Sequence, residues 1–484
     1  LNLAIVSFMR FAIFSLTLVC ALSAAGQSGR TASTVPPNGA ETSVAGTLAE
    51  PTVKQLFDDA NGYIRAKGAE YDAKKVPFSD SLLSKAKQEQ RQLAARYAAM
   101  AAARGSLEGN DLYYLGMLHW IAENMDGTAD ALRKFIVLDD AEPVRRQTAR
   151  SVLVVVFAKL RKLDEAEELL AKYVNAGTPR LTEVARMEGE LSKAYQAKGD
   201  LTRMAPHAEE AYKAAKALLK AADSRARGLD EILDAGMLTF EAYRGLGERK
   251  KAEQTLEDMR STAAAVQSPS FYYYSVDQMI KFLIESGRKR QGIEYYSAAL
   301  IASGKDFVVK AQQSDMIARL KKREPQYKLL GEGAPELKSI GEWFPGTPSS
   351  LADLKGQVVL LDFWATWCGP CFDVFPSLSE WQQDLKDDGF KIIGLTRFYG
   401  NANGIQADET AETGFLKQFR EREKLNYDIA VAKDQQTQFE YAATSLPTVA
   451  LIDRKGVIRY LESGTSRARI EEMRAMIIKL LAEK

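Results

Sequence analysis

The chain has 484 residues, 46% of them hydrophobic and 27% charged, with 65 Lys and Arg against 64 Asp and Glu. This length exceeds what one hydrophobic core serves and predicts roughly two to four domains. The composition is that of an ordinary soluble globular protein, and the near-neutral balance offers no nucleic-acid surface, so no nucleic-acid partner is expected.

From Met9 the chain reads "MRFAIFSLTLVCALSAAGQ". Arg10 forms a short basic start, Phe11 to Leu22 an apolar stretch, and Ser23 and Ala25 are small residues before a cut at Gly26. Residues 1–25 are therefore predicted to be a cleaved signal peptide of an exported, periplasmic protein. A membrane anchor is disfavoured because Arg10 interrupts the apolar run. A lipid anchor at Cys20 is disfavoured because Val19 stands where a small residue is usual. Residues 26–50, rich in Gly, Ser, Thr, Ala and Pro without an apolar period, predict a disordered linker.

Residues 51–325 predict an all-α domain, with a helical pattern running from Pro51 to Lys322. Ala, Leu, Glu, Lys and Arg dominate, and apolar residues recur three and four apart, as at Leu163, Ala166, Leu169, Leu170 and Tyr173. Turn-and-helix segments recur, marked by Gly127, Leu163, Gly199, Gly247 and Gly287, roughly 36 to 48 residues apart. The pattern resembles a degenerate tetratricopeptide-like array of helical hairpins, although no repeat carries the complete motif. Such an array is expected to hold a peptide or protein partner; an irregular helical bundle is the alternative.

Pro325, Pro335, Pro345 and Pro348 then break the helical pattern and predict a linker into a second domain, residues 326–484. "QVVLLDFWA", "FKIIGLT" and "YDIAVAK" predict strands, alternating with helices over "PCFDVFPSLSEWQQDLKDD", "AETGFLKQFREREKL" and "QQTQFEYAA". "PTVALID" and "GVIRYLES" predict a hairpin, and "RARIEEMRAMIIKLLAEK" a closing helix. The alternation gives a mixed sheet with helices on both faces.

With Cys20 in the signal peptide, the mature chain keeps two cysteines, Cys368 and Cys371, in "LDFWATWCGPCFDVFP". A zinc site needs about four ligands, and His119 and His207 lie far off in the helical region. Phe372 after Cys371 excludes the haem-attachment signature. No metal and no bound cofactor is expected. A dithiol at a helix start favours thiolate at the first sulfur, which assigns Cys368 as nucleophile and Cys371 as the more buried resolving thiol; a Cys368 pKa of about 7 is typical of such a motif. Gly369 permits close approach of a partner backbone, and Pro370 suits a first helical turn. Asp362, inside an apolar strand, is costly to bury charged and should titrate high, unless its carboxylate turns to solvent.

"VVLLDFWATWCGPC" followed by "SLPTVALID" resembles the thioredoxin superfamily, and "GEGAPELKSI…SLADLKGQVVLLDFWATWCGPC" resembles its exported TlpA/ResA-like branch. The resemblance implies a thioredoxin fold and thiol–disulfide exchange through the Cys368–Cys371 pair. It implies Asp362 as proton shuttle for Cys371, Pro447 as a cis-proline opposite the dithiol with Leu446 before it, and Trp367 at the rim. Trp364 is expected in packing. Asp373 stands earlier than the Glu usual in the exported branch, and no Lys occurs in the core of "KIIGLT", where some thioredoxins pair one with the buried acid. The partners implied are a substrate protein with a disulfide or thiol pair and a membrane thiol electron donor. A reductase is the leading expectation. An oxidase or isomerase direction, or an interaction scaffold with an accessory redox domain, stays open.

Overall fold

The computed structural model describes residues 50–219 and 228–483. The signal-peptide reading of 1–25 and nearly all of the linker reading of 26–50 lie outside these residues. Among the described residues, the regular elements up to Leu329 are all helices: α1 Val53–Ala73, α2 Asp80–Ala102, α3 Asn110–Ile121, α4 Met125–Ile136, α5 Pro143–Lys159, α6 Leu163–Asn175, α7 Leu181–Lys198, α8 Leu201–Leu218, α9 Gly228–Gly245, α10 Arg249–Ala265, α11 Pro269–Glu285, α12 Lys289–Asp306 and α13 Lys310–Leu329. Local signals set many of the starts. Thr52 and Gln55 form a capping box on α1, and Ser79, Asn124 and Asp200 cap α2, α4 and α8 with their side chains. Pro143 and Pro269 sit in first turns, where a missing N–H costs nothing. Leu163, Ala166, Leu169, Leu170 and Tyr173 make the buried stripe of α6.

The described residues fall into two compact units, one ending at Ala252 and one beginning at Glu253. In the first, each helix packs on its sequence neighbours and several on the next but one, as α1 on α3, α5 on α7 and α7 on α9. Gly199, Gly247 and Gly287 take left-handed turns with φ of 77°, 75° and 74°. Gly127 is no turn residue: it lies in the first turn of α4, where a Cβ would stand 2.7 Å from the His119 ring.

The second unit joins α11, α12 and α13 to an α/β domain. Its strands are β1 Ile340–Phe344, β2 Val358–Phe363, β3 Phe390–Arg397, β4 Asn401–Ala402, β5 Ile405–Gln406, β6 Asp428–Ala432, β7 Thr448–Ile452 and β8 Ile458–Ser463. Six form one mixed sheet in the order β1-β6-β3-β2-β7-β8; β4 and β5 make a separate small hairpin. β2 runs parallel to β3, and β3 to β6; β7 is antiparallel to both β2 and β8, and β1 to β6. One face packs on α15 Phe375–Leu385, α16 Glu409–Arg422 and α18 Arg467–Ala482 through Leu378, Trp381, Leu416, Phe419, Met473 and Ile477. The other face buries Val359, Leu361 and Phe363. The Phe363 ring lies 5.3 Å from that of Tyr441, which closes the short α17 Gln436–Glu440.

Two further expectations need correction. The helical pattern does not stop at Lys322; α13 runs to Leu329 with Pro325 inside it. Buried Arg323, Gln326 and Tyr327 anchor this turn and outweigh the proline penalty. The helix expected over 370–388 is broken. A single turn, α14 Gly369–Phe372, precedes α15, and Pro376 sits in the first turn of α15. The proline cannot donate in a continuous helix, so the chain restarts there.

Candidate active site

β2 delivers the chain into the site. Its residues Val358 to Phe363 are buried throughout, as a central strand covered on both faces requires. The segment after it turns into α14, with Cys368 as N-cap and Gly369, Pro370 and Cys371 in the helical turn. Cys368 and Cys371 are joined in a disulfide, with their Cα atoms 5.4 Å apart. Cys368 is 4% exposed and Cys371 1%. Because α14 is one turn long, Cys368 sits at local N–H groups rather than at the end of a long helix dipole.

Strand alternation puts Val358, Leu360 and Asp362 on one face, the face that also carries the dithiol core. Asp362 is 1% exposed, and no protein group hydrogen-bonds to either of its carboxylate oxygens. Its burial pushes the carboxyl from 3.8 up to about 7. The register partner of Asp362 on β3 is Gly394. A Cβ at Gly394 would stand 2.9 Å from Trp364 Nε1 and 3.1 Å from the Tyr427 ring. The glycine therefore admits both aromatic side chains beside the acid. The Trp364 N–H and Tyr427 hydroxyl are also buried without a protein partner, and burial, reinforced by the Asp362 charge, holds Tyr427 well above the usual phenol range. Trp364 packs in the core, stacked on Phe419 at 5.3 Å and edge-on to Phe375 at 5.5 Å.

Trp367 stands apart, 66% exposed, with its ring 5.6 Å from Tyr399 in a T-shaped contact. Arg397 lies over the opposite partner of this pair, 4.0 Å from the Tyr399 centroid. The loop bearing Tyr399 is fixed by the buried Glu412 carboxylate, which accepts from the N–H groups of Tyr399 (2.9 Å), Gly400 (2.9 Å) and Asn401 (3.4 Å). On the other side, β7 pairs antiparallel with β2, Thr448 opposite Phe363, so the chain just before β7 lies beside the end of β2. There the Leu446–Pro447 bond is cis. The Pro447 carbonyl accepts from Gly464 N–H at 2.7 Å. Leu446 is half-buried against the dithiol core, and its own backbone groups make no hydrogen bond within the described residues.

Thus Cys368, Gly369, Pro370 and Cys371 share one turn, and Asp362 shares their sheet face. Trp367 flanks that turn, and Leu446 packs against the dithiol core. Tyr427, Gly394, Tyr399 and Glu412 were not singled out from the sequence. The absence of Lys from the core of "KIIGLT" was the available signal for Gly394; the other three depend on contacts distant in sequence. His119 packs in α3 with its Nδ1 3.3 Å from Asn124 Nδ2, and burial lowers its pKa. Among the described residues, no group of three or more His, Cys, Asp or Glu is placed to hold a metal ion.

Residues 330–477 match the model of the family described as Redoxin. The thiol-disulfide oxidoreductase ResA of Bacillus thuringiensis is 34% identical over 146 residues, which are 30% of this chain and 75% of that protein. The chain belongs to the redoxin family. The thioredoxin-like protein YneN of Bacillus subtilis is 31% identical over 137 residues, 28% of this chain and 72% of that one. A solved thiol:disulfide interchange protein of the thioredoxin family from Chlorobium tepidum TLS is 21% identical over 31% of this chain and 97% of that chain, with a TM-score of 0.26. The redoxin domain so defined contains the disulfide, the buried acid and the cis-proline segment, and leaves the helices up to Leu329 outside the match. No helix among the described residues is long and apolar enough to cross a membrane.

Proposed function

We propose that this chain is an exported thiol–disulfide oxidoreductase that reduces disulfides of substrate proteins. The observation that carries the reading is a Cys-Gly-Pro-Cys disulfide on the sheet face that also holds a buried, unpartnered carboxylate. In the reduced form, the Cys368 thiolate attacks one sulfur of a substrate disulfide. The substrate S–S bond breaks, one substrate thiolate leaves, and a mixed disulfide forms. Asp362 takes the proton of Cys371, whose thiolate then attacks the Cys368 sulfur of the mixed disulfide and expels the second substrate thiolate, which takes a proton from Asp362 or water. Two electrons pass to the substrate, and the Cys368–Cys371 disulfide remains. A carboxylate titrating near 7 can take a proton from a thiol and return it at neutral pH, which one titrating near 4 does poorly. Trp367, Gly369, Pro370, Leu446 and Pro447 form the surface that receives the substrate, with the free backbone groups of Leu446 pairing with an extended chain.

The Gly-Pro pair inside the motif resembles the reducing members of the superfamily and supports that direction. Return of the enzyme to the dithiol then needs a thiol electron donor, for which we propose a membrane thiol relay. Export is supported by the signal-like residues 9–25. We read the helical region as a tetratricopeptide-like array that holds a peptide or protein partner, supported by its nearest-neighbour packing.

The test is insulin reduction with dithiothreitol as electron source. Cys368→Ser should abolish it, and Cys371→Ser should trap a mixed disulfide. An unchanged rate in Cys368→Ser sinks the oxidoreductase reading. If full-length protein with both cysteines replaced by Ser captures the same partners as the native chain without covalent trapping, the scaffold reading takes its place.

A further inference from the structure

The helices that precede the family-matched segment carry buried charge, and that charge is aimed at the edge strand of the redoxin sheet. Within the unit that begins at Glu253, α13 packs on β8. Lys281 on α11 donates to Glu462 (2.9 Å) and Glu472 (2.8 Å). Arg323 on α13 donates to Asp277 (3.1 Å), to the Leu461 carbonyl (2.9 Å) and to Glu462. Tyr327 adds a hydrogen bond to Asp277 at 2.7 Å. Asp277, Lys281, Arg323, Gln326 and Glu462 are all buried. Removing one member of such a set leaves a buried charge uncompensated, so the set fixes α13 on β8.

Gln326 extends the network toward the site. Its Oε1 accepts from Arg323, and its Nε2 donates to Ser463 Oγ at 2.8 Å and to the Ala442 carbonyl at 3.3 Å. Ser463 Oγ lies 2.7 Å from Thr448 Oγ1, and Thr448 Oγ1 lies 2.6 Å from the Ser445 carbonyl. Each hydroxyl has one proton, and a carbonyl can only accept. The Thr448 proton therefore goes to Ser445, the Ser463 proton goes to Thr448, and Ser463 accepts from Gln326. The chain of bonds has one direction, starting at the Arg323-oriented amide and ending at the residue before Leu446. On the far side, Gly464 N–H holds the Pro447 carbonyl. Leu446 is left between two fixed points with its own backbone groups free.

We propose that α13 is part of the redox site and that Gln326 is a positioning residue, holding the Leu446–Pro447 segment in the conformation that receives a substrate strand. The proposal rests on the disulfide-exchange reading above. It means that the family-matched segment alone lacks part of its substrate groove.

Gln326→Glu is the sharpest perturbation. It keeps the side-chain volume and gives Arg323 a stronger acceptor, but it also takes the donor from the Ala442 carbonyl, a loss that Ser463→Ala does not share. A carboxylate cannot donate to Ser463, however, so the Ser463 proton turns to it and the directed chain is broken. Ser463→Ala breaks the same chain, and Ser463→Thr restores it. In full-length protein, Gln326→Glu and Ser463→Ala should raise KM for insulin roughly three- to tenfold, the size of one net hydrogen bond, with kcat within about twofold. Amide hydrogen exchange over residues 443–449 should quicken in both variants and return to the native rate in Ser463→Thr. KM or exchange staying at the native value in folded Gln326→Glu and Ser463→Ala overturns the proposal. If the native protein reduces no disulfide, the oxidoreductase reading fails. Exchange then still decides the hold of α13 on this segment: quickened exchange supports it, and unchanged exchange overturns it.

Discussion

Replacing Asp362 by Asn should stabilise the protein, and the gain should depend on pH in a defined direction. In the unfolded chain this carboxyl titrates near 3.8, and in the fold burial pushes it up to about 7. Below pH 3.8 both states hold the proton and the group contributes nothing to the difference. Between 3.8 and 7 the unfolded chain ionises while the folded one keeps its proton, so stability falls as pH rises. Above 7 both states are ionised and the whole cost of the buried charge is present. A separation of about three pH units corresponds to about 4 kcal/mol. Asn carries no charge, and the cost of burying its amide does not vary with pH. The stability of Asp362→Asn minus that of the native protein should therefore climb by about 4 kcal/mol from pH 3.5 to pH 8. Urea unfolding of the oxidised protein, with the disulfide intact so that no thiol titrates, measures this. Trp343, Trp364, Trp367 and Trp381 make fluorescence a reporter of the redoxin domain, with Trp120 alone elsewhere. A difference that stays flat between these pH values, or falls, would refute a neutral-titrating buried acid.

Other outcomes follow from the same geometry. His207 on α8 has its Nδ1 2.5 Å from Glu188 and its Nε2 2.9 Å from Glu167. Burial alone would lower its pKa, but Glu188 and Glu167 outweigh burial and raise it above 6.5. Its contribution to the helical unit is thus complete below pH 6.5 and lost as pH rises through the folded titration. Melting followed by circular dichroism should show this loss, and His207→Leu should remove the dependence. Trp367→Ala, at an exposed site, should leave the melting temperature within about 1 °C yet raise KM for insulin roughly two- to tenfold, the range of one aromatic contact. Glu412→Ala strands the three N–H groups of residues 399–401. It should cost about 2–4 kcal/mol in urea unfolding and change the Trp367 fluorescence as Tyr399 moves away.

The redox site was largely legible because its signals are local. A fully apolar strand, a glycine and proline between two cysteines, and a later proline before a second strand are all contiguous patterns, and β2, α14 and β7 lie where those patterns put them. The broken helix at Phe372–Phe375 was hidden because Pro376 reads equally as a kink or a restart. The short strand β1 and the β4–β5 hairpin were also missed. "IGEWF" lies inside the proline-rich stretch and pairs only with β6, far along the chain, and the hairpin strands have two residues each. The union of α11–α13 with the redoxin sheet was the least legible feature. Lys281, Arg323 and Glu462 are charged residues that a periodicity reading places on a solvated face, whereas pairing across about 140 to 190 residues buries them. Pro325 reinforced that error by suggesting a helix end where tertiary contacts carry the helix onward.

Cys368 and Cys371 are proposed to form a reducing dithiol. The most direct test is the midpoint potential of that pair in the full-length protein, titrated against dithiothreitol and glutathione buffers and followed by tryptophan fluorescence. One two-electron transition is expected, lost in Cys368→Ser, with a midpoint near the reducing end at about −270 mV. A midpoint near that of a strong disulfide donor, about −120 mV, or no transition at all, would contradict it.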